Sequence, residues 1–462
     1  MTLSLIKNIL LLSKGESYRQ LARYILPETI TALLLFSALA IVDAKLIADL
    51  GSTTTFATLG IAASMVYFMI KVGEAFMTAT SVVGGRYNGA SDYRNAGRTL
   101  VDAFWMTVCI GALLYLAIYT CAPFYYRLHH SSAEMVFIGV KYLRLKGLSL
   151  FLMFIYLAFV GFLRALKDTR TPMLIFLVGA SLFVFFDIAL VKGVWGFPRL
   201  GLNGSALASI CQYLVMVLII GLYVKKVYGN SKYEIRLFSS FASWQAVKKL
   251  LTLTWPVLVD KASLTFAFLW MGIMVAKLGV EELACYAVLR DLLALGLIPA
   301  QAAAHVTSFI ASNNVGSRRF EDVTVNCRKI LFITLLLVFL SFTLICSFSR
   351  SIVSLFDKQQ AFTTLAVSIL LPVSLLTLGD VLQLLLSGTL RGLSQVRSVM
   401  WVRILCCVFI FPAISYCTLF IPIQADSTRF LLLFSLFYLN FLTMSFLYIK
   451  KLKKEAWKMV ST

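Results

Sequence analysis

Seven acidic residues within the long apolar blocks of this 462-residue chain are candidates for chemistry: Glu28, Asp43, Glu74, Asp187, Asp260, Asp291 and Asp380. Four bases join them, Lys45, Lys71, Lys261 and Arg290. An ionisable group at the middle of a bilayer costs roughly 2.5–3.5 kcal/mol on insertion scales, so each must pair, bind or carry an ion. With seven acids against four bases the buried set is net acidic, which suits cations and the carriage of protons.

The acids differ in what surrounds them. Asp43 and Asp187 have no local partner and are expected to couple to a cation, the competing role being an ion pair with Lys45 or Lys71. Asp380, in LGDVLQLLLSG, also stands alone and is the third candidate for cation coupling. Lys71 and Glu74 lie three apart on one helical face, a spacing that predicts a neutralised pair. Arg290/Asp291 and Asp260/Lys261 are adjacent, point to different sides of their helices, and are expected to find packing partners elsewhere. Glu28 follows Pro27 near the end of its block and is expected to be solvated. His305, in PAQAAAHVTSF, is expected to be a hydrogen-bonded packing group, with a proton shuttle as its alternative role. Together with Gln301, Tyr67 and Trp270, the charged groups Glu74, His305, Asp260, Asp291 and Arg290 are candidates for lining a substrate cavity. Tyr67, Phe68, Trp105 and Trp270 could stack on a flat cation, although lipid or packing contact is the ordinary use of such rings.

The elements that hold these residues are legible from composition. Hydrophobic residues make up 60% and charged residues 14% of the chain, against about 45–50% and about 25% in a soluble domain. The apolar residues arrive in blocks near the roughly 20 residues that cross a bilayer, and a spanning β-barrel would show alternating segments of about 10 residues instead. Twelve helices are predicted: 24–50, 54–87, 97–122, 142–163, 171–192, 201–225, 247–278, 281–312, 328–356, 360–390, 397–421 and 427–449. Lys and Arg total 42 against 21 Asp and Glu, a formal +21. Twenty-eight of the 42 fall on the termini and even-numbered loops, so both termini are expected in the cytoplasm, with an interfacial amphipathic segment over 1–23. The basic excess sets topology and can touch anionic lipid; it implies no nucleic acid.

The second half repeats the first. GFLRALKDTRTPM at 161–173 and GTLRGLSQVRSVM at 388–400 share Gly161/Gly388, Leu163/Leu390, Arg164/Arg391, Leu166/Leu393, Arg170/Arg397 and Met173/Met400 at an offset of 227. At the same offset GASDYRN at 89–95 falls on GSRRFED at 316–322. Pro27 and Pro256 are 229 apart, and Gly51 and Gly279 are 228 apart. The expected fold is therefore an all-α polytopic membrane protein of two six-helix lobes, related by a pseudo-two-fold along the membrane normal. The lobes are placed at 1–226 and 244–462, joined by a linker at 227–243. Parallel repeats of this kind suggest alternating access around a midplane site.

These segments resemble the multidrug and toxic compound extrusion (MATE) family: IVDAKLIADLG closing the first helix, GGRYNGASDYRNA after the second, GFLRALKDTRTPM after the fourth, GLNGSALAS opening the sixth, and a Pro beginning the seventh. The resemblance implies an antiporter of the plasma (inner) membrane that exports organic, often cationic, compounds on a proton or sodium gradient, with a V-shaped cavity between two lobes. By the same resemblance Asp43 and Asp187 look like coupling residues of one branch, and Asp380 like that of another. Phe183 stands where many relatives carry Asn, and Leu264 where others carry Glu. Sodium wants several oxygen ligands, so these departures favour the proton. The expected partners are a small organic molecule, the coupling cation and the bilayer, with the protein acting as a monomer and using no cofactor beyond H+ or Na+. A lipid-linked precursor flippase is the alternative, though its usual fourteen spans and basic cavity fit less well. No H-E-x-x-H, G-x-S-x-G or G-x-x-x-x-G-K-[ST] pattern is present, so an enzyme is not expected.

Overall fold

A computed structural model describes residues 14–35, 39–129, 131–229, 231–238, 241–357, 360–418 and 426–453. The first thirteen residues of the expected interfacial segment, and the basic tail beyond 453, lie outside the described residues.

Among the described residues all regular structure is helical. The first apolar block forms α1 (Tyr18–Leu33) and α2 (Leu39–Ala48), and the next five form α3 (Thr53–Gly89), α4 (Tyr93–Leu128), α5 (Ala133–Ala165), α6 (Arg170–Lys192) and α7 (Leu202–Tyr228). The second half begins with α8 (Trp244–Ala276), followed by α9 (Val280–Gly296) and α10 (Ile298–Gly316), then α11 (Phe320–Ser347) and α12 (Ser349–Phe356). It closes with α13 (Thr363–Leu376), α14 (Leu378–Gly392), α15 (Val396–Arg403), a π-helical stretch Ile404–Ile410, α16 (Phe411–Cys417) and α17 (Asp426–Lys453). Among the described residues, ten helices or helix runs are long and apolar enough to cross a membrane, and α9 with α10 makes an eleventh if counted as one span bent by 46°.

Local chemistry sets these boundaries. Ser52, Asp92 and Ser132 cap α3, α4 and α5 by accepting from the backbone N–H of Thr55, Asn95 and Met135, satisfying a donor that a helix start leaves unpaired. Pro299 sits in the first turn of α10, where its missing N–H is harmless to that helix but stops α9 from running on. Pro412 follows the π-helical stretch, and its missing donor accounts for the altered hydrogen-bond register just before it.

The chain divides into two compact units, residues 30–254 and residues 1–29 with 255–462. Their boundaries fall inside α1 and α8, within three residues of Pro27 and of Pro256, and not at 226 and 243. The reason is visible at the lead-in to each helix. Lys329 is 1% exposed and donates to the backbone carbonyls of Lys14 and of Glu16, the latter at 2.9 Å. The Glu16 N–H donates to Asn326 Oδ1 at 2.8 Å, and Leu21 and Ile25 enter the apolar core of the second half. In the other unit Arg98 donates to the Phe241 carbonyl at 2.8 Å, the Ser243 N–H donates to Asp102 Oδ1 at 3.3 Å, and Trp105 Nε1 donates to the Leu237 carbonyl at 2.9 Å. Trp105 thus anchors the linker and is no free stacking surface. Lys14 and Phe241, like Glu16 and Ser243, are 227 apart, so equivalent backbone groups are held by different side chains.

The repeat is written in the backbone as well. Ser91 and Arg318 have φ of 60° and 58°, and Lys167 and Ser394 have φ of 63° and 59°, each pair 227 apart. None is glycine, and a left-handed conformation at a non-glycine residue is uncommon, so its recurrence marks two copies of one turn. At Gly161 an added Cβ would lie 2.7 Å from the Met77 carbonyl oxygen, and at Gly388 it would lie 2.3 Å from that of Ala304. Met77 and Ala304 are again 227 apart. Each glycine is where two helix backbones touch.

Candidate functional site

In the first unit α6 packs against α2 and α7, and α5 packs against α7 as well as α3 and α4. This arrangement gathers Asp43 from α2, Tyr142 and Lys146 from α5, Asp187 from α6 and Ser209 from α7. Asp187 is 0% exposed, and neither of its carboxylate oxygens has a hydrogen-bond partner. Asp43 is half-buried, and its Oδ1 is likewise unpartnered. Lys146 Nζ donates to Ser209 Oγ at 2.7 Å, and Ser209 Oγ donates to the Ser205 carbonyl at 3.1 Å. Asp43, Asp187 and Lys146 interact electrostatically with one another, and the buried Tyr142 interacts with both acids. Asn203 Oδ1 and Ser205 Oγ on α7 are two further buried oxygens without a partner. An ionised carboxylate buried without donors is among the costliest groups a protein can hold. The arrangement is therefore suited to taking up a proton or a small cation.

Neither Lys45 nor Lys71, the alternative partners of Asp43, pairs with it. Lys45 is exposed, and Lys71 bonds both oxygens of Glu74 at 3.0 and 3.2 Å, the pair that their spacing predicts. Lys71 also lies 5.1 Å above the ring of Tyr67, which is 50% exposed, while Phe68 is 56% exposed.

The second unit treats its acids differently. Asp260 on α8 is 0% exposed and is held by two guanidinium groups: Arg391 Nη2 donates to its Oδ2, and Arg403 Nε lies 2.7 Å from its Oδ1. Arg403 Nη2 donates to Gln383 Oε1 at 2.7 Å, and Gln383 Nε2 donates to Asp380 Oδ1 at 2.6 Å. Two acids and two bases thus form one chain, Arg391–Asp260–Arg403–Gln383–Asp380. Trp270 Nε1 donates to Ser415 Oγ at 2.8 Å and its ring stacks on Phe266. Gln301 and His305 are half-buried, one helical turn apart on α10.

Two expectations are corrected. Glu28 is 4% exposed, because α1 packs its start into the second unit. Arg290 folds back onto its neighbour Asp291 at 2.9–3.0 Å, since its long side chain spans a gap that Cβ directions alone would forbid. Three residues of these clusters were not among the candidates read from the sequence: Lys146, Arg391 and Arg403. A signal was available for Lys146. Ser132 followed by Glu134 starts α5 ten residues before the expected boundary at 142, which puts Lys146 about 20 Å along the helix.

A tandem repeat of membrane-crossing helices with charged groups buried among them is the architecture of many transporters. The MatE family model matches twice, at residues 29–188 and 256–416, with starts 227 apart, and the chain belongs to that family. Curated relatives include the multidrug resistance protein MdtK of Yersinia enterocolitica and that of Yersinia pestis, each 24% identical over 370 residues that cover 79% of this chain and 80% of the relative. Among solved structures, an outward-facing multidrug resistance MATE transporter of the MOP superfamily superposes with a TM-score of 0.86 at 17% identity, covering 97% of this chain and 98% of the other. A MATE crystal structure in the straight conformation gives 0.85 at 18% identity, covering 97% and 99%. The structural likenesses extend over nearly the whole chain.

Proposed function

We propose that this protein is a proton-coupled antiporter that exports amphiphilic or cationic organic compounds across the plasma (inner) membrane by alternating access, as a monomer with both termini in the cytoplasm. The observation that carries the proposal is Asp187, fully buried with both oxygens unpartnered beside Asp43. Such a carboxylate is stabilised by taking a proton, and releasing that proton into the cytoplasm returns the charge to a site that attracts cations. One charge crossing 100 mV is worth roughly 2.3 kcal/mol, so even one proton per cycle supplies a useful driving force. The names of the MdtK relatives support a drug-like organic substrate. Among the acids, the bonded position of Asp380 fits a structural role, leaving Asp43 and Asp187 as the coupling pair.

The test is proton efflux from proteoliposomes as candidate organic cations are added, run in proton and then sodium gradients. Asp43→Asn and Asp187→Asn should each abolish substrate-driven proton movement. Intact efflux in both variants would contradict the coupling assignment.

A further inference from the structure

Lys146 is the charged member of the first cluster that the coupling reading leaves unused. Its ammonium is anchored 2.7 Å from Ser209 Oγ. It lies within electrostatic reach of both Asp43 and Asp187, yet among the described residues neither acid has an ion-pair partner. The groups facing it are few: Asp43 on α2, Tyr142 on its own helix, Asp187 on α6 and Ser209 on α7, with Tyr126 on α4 next to Tyr142 and tied to the Thr58 carbonyl at 3.1 Å. Two carboxylates and one ammonium leave a single net negative charge.

A sodium ion needs that charge and several oxygen ligands besides. The oxygens exist here, on Asp43, Asp187 and Ser209, but a fixed ammonium already stands among them. A proton needs only one carboxylate oxygen and no coordination shell. We infer that Lys146 is an ion-selectivity residue, a built-in cation that takes the electrostatic place of a sodium ion and leaves room for one proton. This rests on the proposed coupling role of the Asp43 and Asp187 pair. It goes beyond that role by assigning the choice of ion to one side chain. Ser209 positions Lys146 by accepting its hydrogen bond, so the ammonium neutralises the site without closing a contact ion pair that would lock either acid.

Sodium binding can be read without knowing the substrate. The purified full-length protein in detergent is melted at pH 8 in sodium chloride and in choline chloride of equal ionic strength. The wild type should melt at the same temperature in both salts. Lys146→Met should melt about 2 °C or more higher in sodium, the order of shift produced by a ligand well above its Kd. Lys146→Arg should behave as the wild type, because the charge is kept. If the wild type is stabilised by sodium as much as Lys146→Met, or if Lys146→Met shows no response, the inference is overturned. Should Lys146→Met not be recovered folded, radioactive sodium binding to the wild type decides: no retained ion is expected, and stoichiometric retention overturns the idea. Ser209→Ala, which keeps the ammonium, should stay insensitive to sodium; a response there would mean that the hydroxyl excludes the ion. The coupling reading fails separately, through intact proton efflux in both Asp43→Asn and Asp187→Asn, an outcome that leaves the melting comparison unchanged.

Discussion

The two halves of this chain share a backbone and differ in how they treat buried charge. In the first, Asp187 is fully buried with no donor on either oxygen and Lys146 is anchored to a hydroxyl. In the second, Asp260 is gripped by Arg391 and Arg403, and Gln383 extends the chain of contacts to Asp380. The helix contacts at Gly161 and Gly388 match to the residue across an offset of 227. Asp43, Lys146 and Asp187 instead fall on Trp270, Val373 and Ile414, and of the charges in the second cluster Arg391 alone has a charged counterpart, Arg164. Duplication preserved what the backbone needs and let the polar chemistry separate into an open site and a closed one. A closed network resists exchange because each charge has its partner within reach, and an open one invites an ion because it has none.

The largest effect that would sharpen this contrast is on stability. Asp260→Ala strands the buried guanidinium of Arg403 and the half-buried one of Arg391 and should cost about 3–5 kcal/mol, read as a large loss of melting temperature or of folded yield in detergent. Asp187→Asn replaces an unpartnered charge with a neutral amide and should leave stability unchanged or raised. Equal losses in the two variants would break the distinction between open and closed clusters.

A smaller effect tests what the halves share. Gly161→Ala and Gly388→Ala each push a methyl against a carbonyl oxygen, at 2.7 Å and 2.3 Å before relaxation. Each should cost about 1–3 kcal/mol by overpacking, and thermal melts of the two should fall together. A loss confined to one half would mean that the frame is less symmetric than its φ angles suggest.

The smallest concerns the lead-in segments. Lys329→Met removes a buried donor from two backbone carbonyls and should cost about 1–3 kcal/mol, whereas Arg98→Met, at a half-exposed position, should cost less. Hydrogen exchange over residues 14–17 and 241–244 would report each loss locally.

How much of this was legible beforehand follows from the kind of signal each feature leaves. Hydropathy marks a helix that crosses a membrane, and an offset of 227 marks a duplication, so both could be read directly. The Lys71–Glu74 pair was readable because three residues along a helix is a fixed distance. Asp260 visibly needed a partner, but its partners lie 131 and 143 positions away, and nothing in one sequence links them. Arg391, Arg403 and Lys146 were hidden for a further reason. A base near the end of an apolar block looks like a marker of membrane side, and only an exact helix boundary shows that it points among the helices. The pairing of α1 with the second half was invisible for the same cause, since it depends on which bundle receives Lys14 and Glu16.

The central claim is that the carboxylates of the first half, and not those of the second, exchange the coupling proton. Infrared difference spectra of the protein in lipid between high and low pH would test it through the carbonyl band of a protonated carboxylic acid. A band that is lost in Asp187→Asn and kept in Asp380→Asn is the predicted result. A band lost in Asp380→Asn and unchanged in both Asp43→Asn and Asp187→Asn would contradict the account.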